Sequence, residues 1–462
     1  MGGNSMEVQL AESGVELIKN AWVIISATLV LFMQAGFLCL EAGSVRQKNT
    51  INVALKNIMD LCTSFAIFFI IGYSFMFGEG TLSGFIGKPD PFIRHADHNV
   101  ILSFLFQVTF CSTAVTIVSG AIAERCRFLP YFLISFMIGL FIYPVFGHWV
   151  WGGGWLSQLG YYDFAGSSVV HMLGAGVALS GIICLGARNG KFDNEGKKQN
   201  MQVSNMPMVA LGVIILMFGW IGFNGGSSEF GFHTAEIVTN TLLAGCFGGL
   251  IAMLCSWVYL GLVDVQAMLN GVIGGLVAIT ASANVVSLQA AALIGLAGGF
   301  IVPVTGYLLE KLLLDDVVGA IPAHGAAGIV GIMLVPVFIT PEAMAEINAG
   351  LDVPLSQSRF FMIQALGATV CTLWSVGLGY VSWKMIGKIT ALRVGSKEEY
   401  VGLNYSEHMI SDPLQDLNIA TNLVIHNRVD EARLYFEKLE KTDLSGLSIS
   451  LRRLLSKSFK GL

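Results

Sequence analysis

Residues 21–40 read AWVIISATLVLFMQAGFLCL, a stretch without a charged side chain. About 20 predominantly apolar residues are what an α-helix needs to cross the hydrocarbon core of a bilayer. Neither a basic stretch before this run nor a cleavage-like site after it indicates a signal peptide. The run therefore predicts a retained membrane-spanning helix.

Windows of this kind recur along the whole chain, and we count about eleven of them. Several of the loops between them are so short that neighbouring helices must run antiparallel. The predicted spans are 18–41, 57–78, 100–122, 129–147, 167–187, 207–227, 235–260, 266–284, 288–310, 320–338 and 359–386.

The composition supports the same class of protein. Of the 462 residues, 54% are hydrophobic and only 12% are charged, against roughly 25% charged residues in soluble proteins. The 54 glycines include the small-xxx-small spacings Gly245–Gly249 and Gly271–Gly275, which favour close helix packing in lipid. The sequence predicts an all-α integral membrane protein with eleven transmembrane helices, surrounded by membrane lipid.

Other classes of function find little support in the sequence. The net charge of −5 is spread along the chain and suggests no nucleic-acid partner. The eight cysteines stand singly in apolar runs, without the spacing of a zinc site or a disulfide framework. No nucleophile–base pair or nucleotide-binding loop is apparent. We expect no cofactor, no bound metal and no catalytic residues, and the chain is not predicted to be an enzyme.

The basic residues predict the orientation of the chain. They concentrate in alternate loops and after the last span, whereas the other loops hold mainly Lys88 and Arg94. Because cytoplasmic loops carry the excess of Lys and Arg, this bias predicts an outside N-terminus and a cytoplasmic C-terminus in a cell membrane (plasma or inner). The residues in question are Arg46, Lys48, Arg125, Arg127, Arg188, Lys191, Lys197, Lys198, Lys384, Lys388, Arg393 and Lys397.

Two histidines stand at corresponding places in the two halves of the chain. His171 lies early in the fifth predicted span and His324 early in the tenth, each followed by small residues. A separation of five spans gives the two halves opposite orientations, as in inverted repeats that share a site near the midplane. The spacing favours an inverted five-helix repeat, although other similarity between the halves is faint.

Several polar and aromatic residues near these histidines suit a small cation. Asp163 and His171 are eight residues apart and would share one face of a continuous helix, as would Trp220, Phe223 and Ser227. Ionisable residues inside spans are costly and therefore indicate sites. Aromatic faces attract cations, and hydroxyl and imidazole groups can replace the hydrogen bonds that a cation loses with its water.

The sequence resembles the ammonium transporter (Amt/Rh) family, in particular its Amt branch, along almost the whole chain to about residue 408. The resemblance depends on the order and spacing of several stretches together. These stretches are 40–46 (LEAGSVR), 120–125 (GAIAER), 151–154 (WGGG), 163–166 (DFAG), 169–171 (VVH), 219–224 (GWIGFN) and 324–325 (HG).

The resemblance implies an external site and a gate. Trp151, Phe110 and Ser227 match the positions at which ammonium is recruited between aromatic faces and a hydroxyl. Phe110 and Phe223 match the stacked aromatic gate that closes the pore to free passage of water. The resemblance also implies a homotrimeric channel fold with one pore in each subunit.

Below the gate, the resemblance assigns the pore itself. His171 and His324 match a hydrogen-bonded histidine pair that lines the pore, and Asp163 matches a buried aspartate that stabilises the cation without touching it. Two further residues match positions that support the site, namely Trp220 and Gln107.

Simpler structural interpretations stand beside these assignments. Asp163 could cap the helix that follows it, the phenylalanines could be core residues, and Trp151 could belong to the aromatic belt at the membrane interface. We interpret His148 and His233 as surface or loop histidines. Helix-end charges that fix loops are predicted at Glu124, Arg125, Asp315 and Asp316.

The end of the chain departs from the family pattern. Residues 401–408 resemble the family's cytoplasmic regulatory segment, but residues 413–462 then carry an amphipathic, charged pattern typical of one or two helices. We therefore divide the chain into a transmembrane domain, 1–408, and a cytoplasmic helical tail, 409–462, which ends in the basic stretch 452–460. The tail serves either as a regulatory segment under a trimer or as a signalling linker.

Three functions remain in competition. The first is a channel-transporter that passes ammonia from recruited ammonium through a twin-histidine pore. The second is a sensor that binds ammonium in the same pore and signals through the tail, with a PII-type signal protein or a downstream signalling domain as its partner. A gas channel of the Rh branch is the least favoured, because Trp151 and Ser227 match the Amt pattern better.

Overall fold

The computed structural model describes residues 2–78, 80–82, 84–425 and 428–440, and these residues are almost entirely helical. The short strands Thr81–Leu82 and Ile86–Gly87 form one hairpin. The α-helices are Gly2–Ser44, Thr50–Ile67, Tyr73–Phe77, His98–Ala121, Phe128–Met137, Tyr143–Trp151, Trp155–Leu159, Leu173–Leu185, Met206–Gly225, Thr234–Leu260, Val265–Ile279, Leu288–Lys311, Ala327–Phe338, Pro341–Ala349, Gln357–Ile389, Ser396–Val401, Leu403–Ser406, Pro413–Ile425 and Val429–Glu440.

Four segments have the wider turn of a π-helix, and two short segments are 3₁₀ helices. The π segments continue directly into α-helices, so that each pair forms one rod with a local widening. They are Phe68–Gly72, Ile138–Ile142, Ser167–Met172 and Ile321–Ala326, and the 3₁₀ segments are Gln47–Asn49 and Pro91–Ile93.

Ten helical rods within the described residues are long and apolar enough to cross a membrane. Each coincides with one of the predicted spans, which confirms a multi-pass helical protein. The rods are Gly14–Ser44, Gln47–Phe77, His98–Ala121, Phe128–Leu159, Ser167–Leu185, Met206–Gly225, Thr234–Leu260, Leu288–Lys311, Ile321–Phe338 and Gln357–Ile389.

The remaining predicted span, 266–284, is a shorter helix than expected. Val265–Ile279 has 15 residues, or about 22 Å at 1.5 Å per residue, less than the roughly 30 Å of a hydrocarbon core. The helix ends early because Thr280 and Ala281 turn away to accept backbone hydrogen bonds from Ala165 and Phe164. The apolar run therefore continues as a turn that contacts the fifth rod.

Side-chain caps explain where several rods begin. Asp97 accepts a hydrogen bond from Val100 N, and Asn205 accepts one from Met208 N, at 2.8 and 3.0 Å. Such caps satisfy amide groups that the first turn of a helix leaves without partners. Equivalent caps are provided by Asp264, Ser287, Thr340 and Ser356.

Glycines let three of the rods approach backbone to backbone. A Cβ atom on Gly275 would lie 2.1 Å from the carbonyl oxygen of Ala244, and one on Gly299 would lie 2.1 Å from that of Gly248. No larger residue fits at such a distance, and the close contact supplies the dispersion energy that holds helices together in lipid. The predicted close packing through small residues is therefore present between Thr234–Leu260, Val265–Ile279 and Leu288–Lys311.

The interpretation of His148 as a surface or loop histidine is wrong. The side chain is fully buried within the helix Tyr143–Trp151, and its Nδ1 lies 2.9 Å from the carbonyl oxygen of Met76. The helix packs on Tyr73–Phe77 so closely that a Cβ atom on Gly152 would lie 2.1 Å from the same oxygen. His233, in contrast, has an 85% exposed side chain, as predicted.

A buried ionic network ties the loops together at one end of the bundle. Arg188 donates to both oxygens of Asp315, at 2.8 and 2.9 Å, and to Glu124 at 3.0 Å. Arg46 contacts the second oxygen of Glu124, and Arg125 donates to the carbonyl oxygen of Asp315 at 2.6 Å. These charges do fix loops, as predicted.

This network should make the bundle sensitive to acid. Arg188 and Arg46 hold the pKa of Glu124 below 4.5, and Arg188 holds the pKa of Asp315 well below 3.8. A depressed folded-state pKa contributes stability above the unfolded value, and that stability is lost as the pH falls through the folded value. Arg188→Gln leaves two buried carboxylates without their main partner, so we expect a loss of about 3–5 kcal/mol at pH 7.

The measurement is thermal unfolding of both proteins in detergent between pH 7 and pH 4. The difference in Tm between wild type and Arg188→Gln should shrink towards pH 4, because the unpaired carboxylates become neutral on acidification. Lys198→Gln is the matched control, since Lys198 pairs with Glu310 on the surface. A constant difference across the pH range would contradict the prediction.

The described part of the tail is a helical hairpin. Pro413–Ile425 and Val429–Glu440 pack through Ala420, Leu423, Ala432 and Leu439, and a buried ion pair joins Lys438 to Asp416 at 2.8 Å. The amphipathic pattern thus corresponds to two helices. The basic stretch 452–460 lies outside the described residues.

The hairpin is connected to the transmembrane rods through Tyr400. The Tyr435 hydroxyl donates to the carbonyl oxygen of Tyr400 at 2.8 Å, and Lys48, at the start of the second rod, donates to the same oxygen. Close by, Asn404 Oδ1 accepts from the amides of Ile51 and Asn52 at 3.0 Å. The tail is therefore linked through Tyr400 to the start of the second rod.

Candidate functional site

The two histidines meet inside the bundle. His171 and His324 stack with their ring centroids 5.2 Å apart at an interplanar angle of 20°, and their Nδ1 atoms lie 3.2 Å apart. Both side chains are buried, with 0% and 4% of each residue exposed. A hydrogen bond between two Nδ1 atoms requires one ring to donate and the other to accept. Nε2 of His171 has no partner among the described residues.

Each histidine sits in a π segment at the start of a helix. His171 lies in Ser167–Met172 and His324 in Ile321–Ala326, and each segment continues into an α-helix. A π turn widens the backbone locally and is frequent at functional sites. The two halves of the chain therefore present their histidines with the same local geometry.

Asp163 caps the helix that carries His171. Its carboxylate accepts from the amides of Gly166, Ser167, Ser168 and Val169 at 2.7–3.1 Å, and from the Ser168 hydroxyl at 2.6 Å. Gly166 has a φ of 111°, so the chain turns sharply there. The expectation that Asp163 and His171 share one continuous helix is wrong, because the helix begins only after this turn. The capping alternative fits the structure.

Asp316, predicted as a helix-end charge, caps the start of the His324 segment in the same way, and this parallel with Asp163 was not predicted. Asp316 accepts from the amides of Gly319 and Ile321 at 3.0 and 2.7 Å, and Gly319 has a φ of 81°. Both halves thus carry an aspartate, a glycine three positions later and a histidine eight positions after the aspartate: 163, 166, 171 and 316, 319, 324. This spacing is visible in the sequence and could have strengthened the case for the repeat.

An aromatic stack lies next to the histidine pair. Phe110 and Phe223 stack with centroids 4.0 Å apart at an angle of 25°, and the ring of Phe223 lies 5.4 Å from that of His171. The Trp220 ring lies 5.2 Å from that of His171 and 5.7 Å from that of Phe223, and its Nε1 donates to the Thr280 hydroxyl at 2.9 Å. The structure therefore brings the predicted gate and the predicted pair into direct contact.

Trp151 and Ser227 flank the stacked phenylalanines. The Trp151 ring lies 6.2 Å from that of Phe110 at an angle of 80°, and its Nε1 donates to the Asp163 carbonyl oxygen at 2.7 Å. The Ser227 hydroxyl lies one turn beyond Phe223 and donates to its carbonyl oxygen at 2.8 Å. Both residues are half-buried. Trp151 offers a ring and Ser227 an oxygen acceptor, the two kinds of group that attract a small cation.

Gln107 lies one helical turn before Phe110. It is half-buried, and its Oε1 is shielded from solvent without a hydrogen-bond partner among the described residues. A buried amide oxygen without a partner is uncommon and costly. Its position beside the aromatic stack agrees with a supporting role at the site.

Fold and site together define a multi-pass membrane protein with a buried histidine pair next to a stack of two phenylalanines. The sequence profile of the Ammonium Transporter Family matches residues 21–412. A putative ammonium transporter from Synechocystis sp. is 42% identical over 87% of this chain and 75% of its own length. Ammonium transporter Amt2 from Archaeoglobus fulgidus is 39% identical over 86% of this chain and 90% of its own. The chain belongs to the ammonium transporter family.

Solved structures agree with this assignment. A structure titled Sensor Amt Protein is 36% identical, with a TM-score of 0.81, over 86% of this chain and all of that one. Mep2 from Candida albicans is 27% identical, with a TM-score of 0.73, over 82% of this chain and 86% of that one. The chain is thus similar both to transporters and to a protein described as a sensor.

Proposed function

We propose that this protein recruits ammonium between Trp151, Phe110 and Ser227 and passes ammonia along His171 and His324. The observation that carries the proposal is the contact between the stacked pair Phe110–Phe223 and the hydrogen-bonded histidines. Nε2 of His171, buried and without a partner in the part of the chain that the structure describes, is a hydrogen-bonding group available to ammonia.

The physical argument concerns the cost of charge. A cation in the bilayer core is expensive, and a neutral ammonia molecule is not. Two phenylalanine rings at 4.0 Å leave no room for a hydrated ion between them. Ammonium can pass such a closure by leaving its proton outside, whereas potassium and sodium have no proton to leave.

The finer architecture follows from the same proposal. Val265–Ile279 completes eleven crossings, the N-terminus lies outside and the C-terminus in the cytoplasm of a cell membrane. The repeated Asp–Gly–His geometry supports an inverted five-helix repeat, and three copies assemble as a homotrimer. Residues 1–408 form the transport domain and residues 409–462 the cytoplasmic tail.

Transport is tested by uptake into proteoliposomes that contain the purified protein. An inward ammonium gradient should drive uptake well above that of empty liposomes, and an equal potassium gradient should drive none. Phe110→Ala should abolish either the uptake of ammonium or the preference of the protein for ammonium over potassium. A folded protein that takes up no ammonium would refute transport.

Sensing is the second candidate, and the tail favours it. The hairpin bonds to Tyr400, and Lys48 at the start of the second rod bonds to the same carbonyl oxygen, so a shift of this rod would reach the tail. A PII-type signal protein or a downstream signalling domain would then read this shift.

Hydrogen exchange of residues 413–440 with and without ammonium tests this candidate. A sensor should show ammonium-dependent protection that Tyr435→Phe weakens, because this variant removes the hydrogen bond to Tyr400. Unchanged exchange in a protein that transports ammonium would leave transport as the sole function.

A further inference from the structure

A short non-helical segment precedes the helix of His171. Residues 161–165 lie between Gly160 and Gly166, whose φ angles of 92° and 111° make the chain turn sharply at both ends. Because no helix continues through these turns, tertiary contacts set where the segment lies. The segment carries Asp163, which caps the His171 helix. Its position therefore matters to the candidate site.

Gln364 bonds to the main chain of this segment. Its side chain is fully buried in the rod Gln357–Ile389. Its Oε1 accepts from the Tyr162 amide at 2.9 Å, and its Nε2 donates to the Tyr162 carbonyl oxygen at 2.7 Å. A side-chain amide offers the same donor and acceptor as a peptide group. Gln364 therefore pairs with Tyr162 much as a neighbouring strand would, and it satisfies main-chain groups that burial would otherwise leave without partners.

The same rod contacts the chain at two further points. Gly367 lies one turn after Gln364, and a Cβ atom there would lie 2.1 Å from the ring of Tyr161, so only glycine leaves room for that ring. One turn later, the Cys371 thiol donates to the Ser168 carbonyl oxygen at 3.4 Å. One face of the rod thus follows the chain from Tyr161 to Ser168.

Gln364 also joins the two halves that carry the histidines. Its Nε2 donates a second hydrogen bond to the Ile332 carbonyl oxygen at 3.3 Å. Ile332 belongs to the helix Ala327–Phe338, which continues the π segment of His324. One buried amide therefore bonds both to the residue before Asp163 and to the helix after His324.

The predicted recruitment site lies one residue beyond this contact. Asp163 follows Tyr162, and its carbonyl oxygen accepts from Trp151 Nε1 at 2.7 Å. The Trp151 ring in turn lies 6.2 Å from that of Phe110. Because Tyr162 and Asp163 share a planar peptide unit, a shift of the first residue moves the second. The Trp151 ring would then turn with the Asp163 carbonyl group or lose its hydrogen bond.

We propose that Gln364 is a positioning residue that sets the affinity of the external site for ammonium. The inference rests on the proposed function, because the site in question is the one that recruits ammonium beside Trp151. Gln364 does not touch the cation, and it acts through Tyr162 and Asp163 on the orientation of the Trp151 ring. A bond with a purely structural role would change how much protein folds and leave the affinity of the site unchanged.

The test is the concentration dependence of ammonium uptake into proteoliposomes. Gln364→Met keeps nearly the same length but removes the amide, so the Trp151 ring loses its fixed orientation. Its KM should rise about fivefold, since part of a cation–π attraction is lost. Its Vmax per folded protein should stay within about twofold, because the lost interaction is one of ground-state binding.

Asn284→Ala is the matched control. Asn284 donates to the Tyr162 hydroxyl at 2.7 Å, and its removal leaves the bonds to the Tyr162 main chain intact. KM and Vmax of this variant should both equal those of the wild type.

Gln364→Glu supplies a second variant, which decides the question if Gln364→Met does not fold. In its neutral form the glutamic acid side chain donates and accepts like the amide, whereas its ionised form can only accept. Its KM should therefore lie near that of the wild type at pH 5. At pH 8 its KM should exceed that of the wild type measured at the same pH.

The outcomes separate this inference from the proposed function. A folded Gln364→Met with unchanged KM overturns the positioning role and leaves transport intact, and so does a Gln364→Glu whose KM relative to the wild type is independent of pH. If the folded wild type takes up no ammonium, transport is refuted. A structure of Gln364→Met then decides the positioning role: a displaced Trp151 ring supports it, and a Trp151 ring still bonded to the Asp163 carbonyl oxygen overturns it.

Discussion

Replacing Asp163 with alanine is expected to destabilise the protein by several kcal/mol and to abolish ammonium uptake. The carboxylate accepts five hydrogen bonds, four of them from consecutive amides at the start of the His171 helix. A buried donor that loses its acceptor costs about 1–3 kcal/mol. Even with some rescue by water, we expect a loss on the order of 5 kcal/mol and a Tm lower by roughly 10 °C.

The Tm of Asp163→Asn should lie between those of the wild type and Asp163→Ala, because the amide keeps one acceptor oxygen. Asp193→Ala is the matched control: Asp193 also caps a turn, accepting from the amides of Glu195 and Lys197, but in an exposed loop. Its Tm should change by only a few degrees. If Asp163→Ala melts like the wild type but loses transport, a purely electrostatic role replaces the capping role.

Replacing His171 with leucine is expected to slow transport strongly in a protein that stays folded. The substitution removes the hydrogen bond to His324, and it removes Nε2, which has no partner among residues 2–78, 80–82, 84–425 and 428–440 and which ammonia would meet. His324 is left buried without its partner, and ammonia crosses this region without hydrogen bonds. These effects raise the barrier by about 2–3 kcal/mol, which corresponds to roughly 30- to 160-fold slower uptake.

His148→Leu is the matched control for this substitution. His148 is equally buried, but it bonds to Met76 outside the aromatic stack and the histidine pair. The initial rate of ammonium uptake in proteoliposomes should be much lower for His171→Leu than for His148→Leu. Melting curves should confirm that both variants are folded. Equal losses in both variants, or undiminished uptake by His171→Leu, would contradict a role for the pair in conduction.

Much of the fold could be predicted from local composition. The runs that crossed the threshold for a spanning helix, such as residues 21–40, correspond to helical rods in the structure. The exception, Val265–Ile279, ends early because Thr280 and Ala281 bond to another part of the chain. Hydropathy gives the length of an apolar run. It does not show where tertiary contacts end the helix within that run.

The candidate site was predictable in its residues and less so in its geometry. The resemblance singled out Phe110, Phe223, His171 and His324, which the structure brings into contact. The resemblance did not show whether Asp163 acts as a helix cap or as a charge that stabilises the cation. That choice depends on which amides face the carboxylate, and hence on a backbone turn that begins at a glycine with positive φ.

By itself, the sequence determined that this is a helical membrane protein of the ammonium transporter family. The free energy of placing a residue in lipid is nearly additive along the chain, so local apolar runs suffice for the helical membrane class. The family was indicated by the resemblance of the motif stretches, in their order and spacing. Tertiary structure alone decided that His148 is buried, that Asp316 repeats the capping of Asp163, and that Gln364 bonds to the residue before Asp163. These are relations between residues distant in sequence, and packing sets their distances, because close-packed helices leave room for only one arrangement of facing side chains.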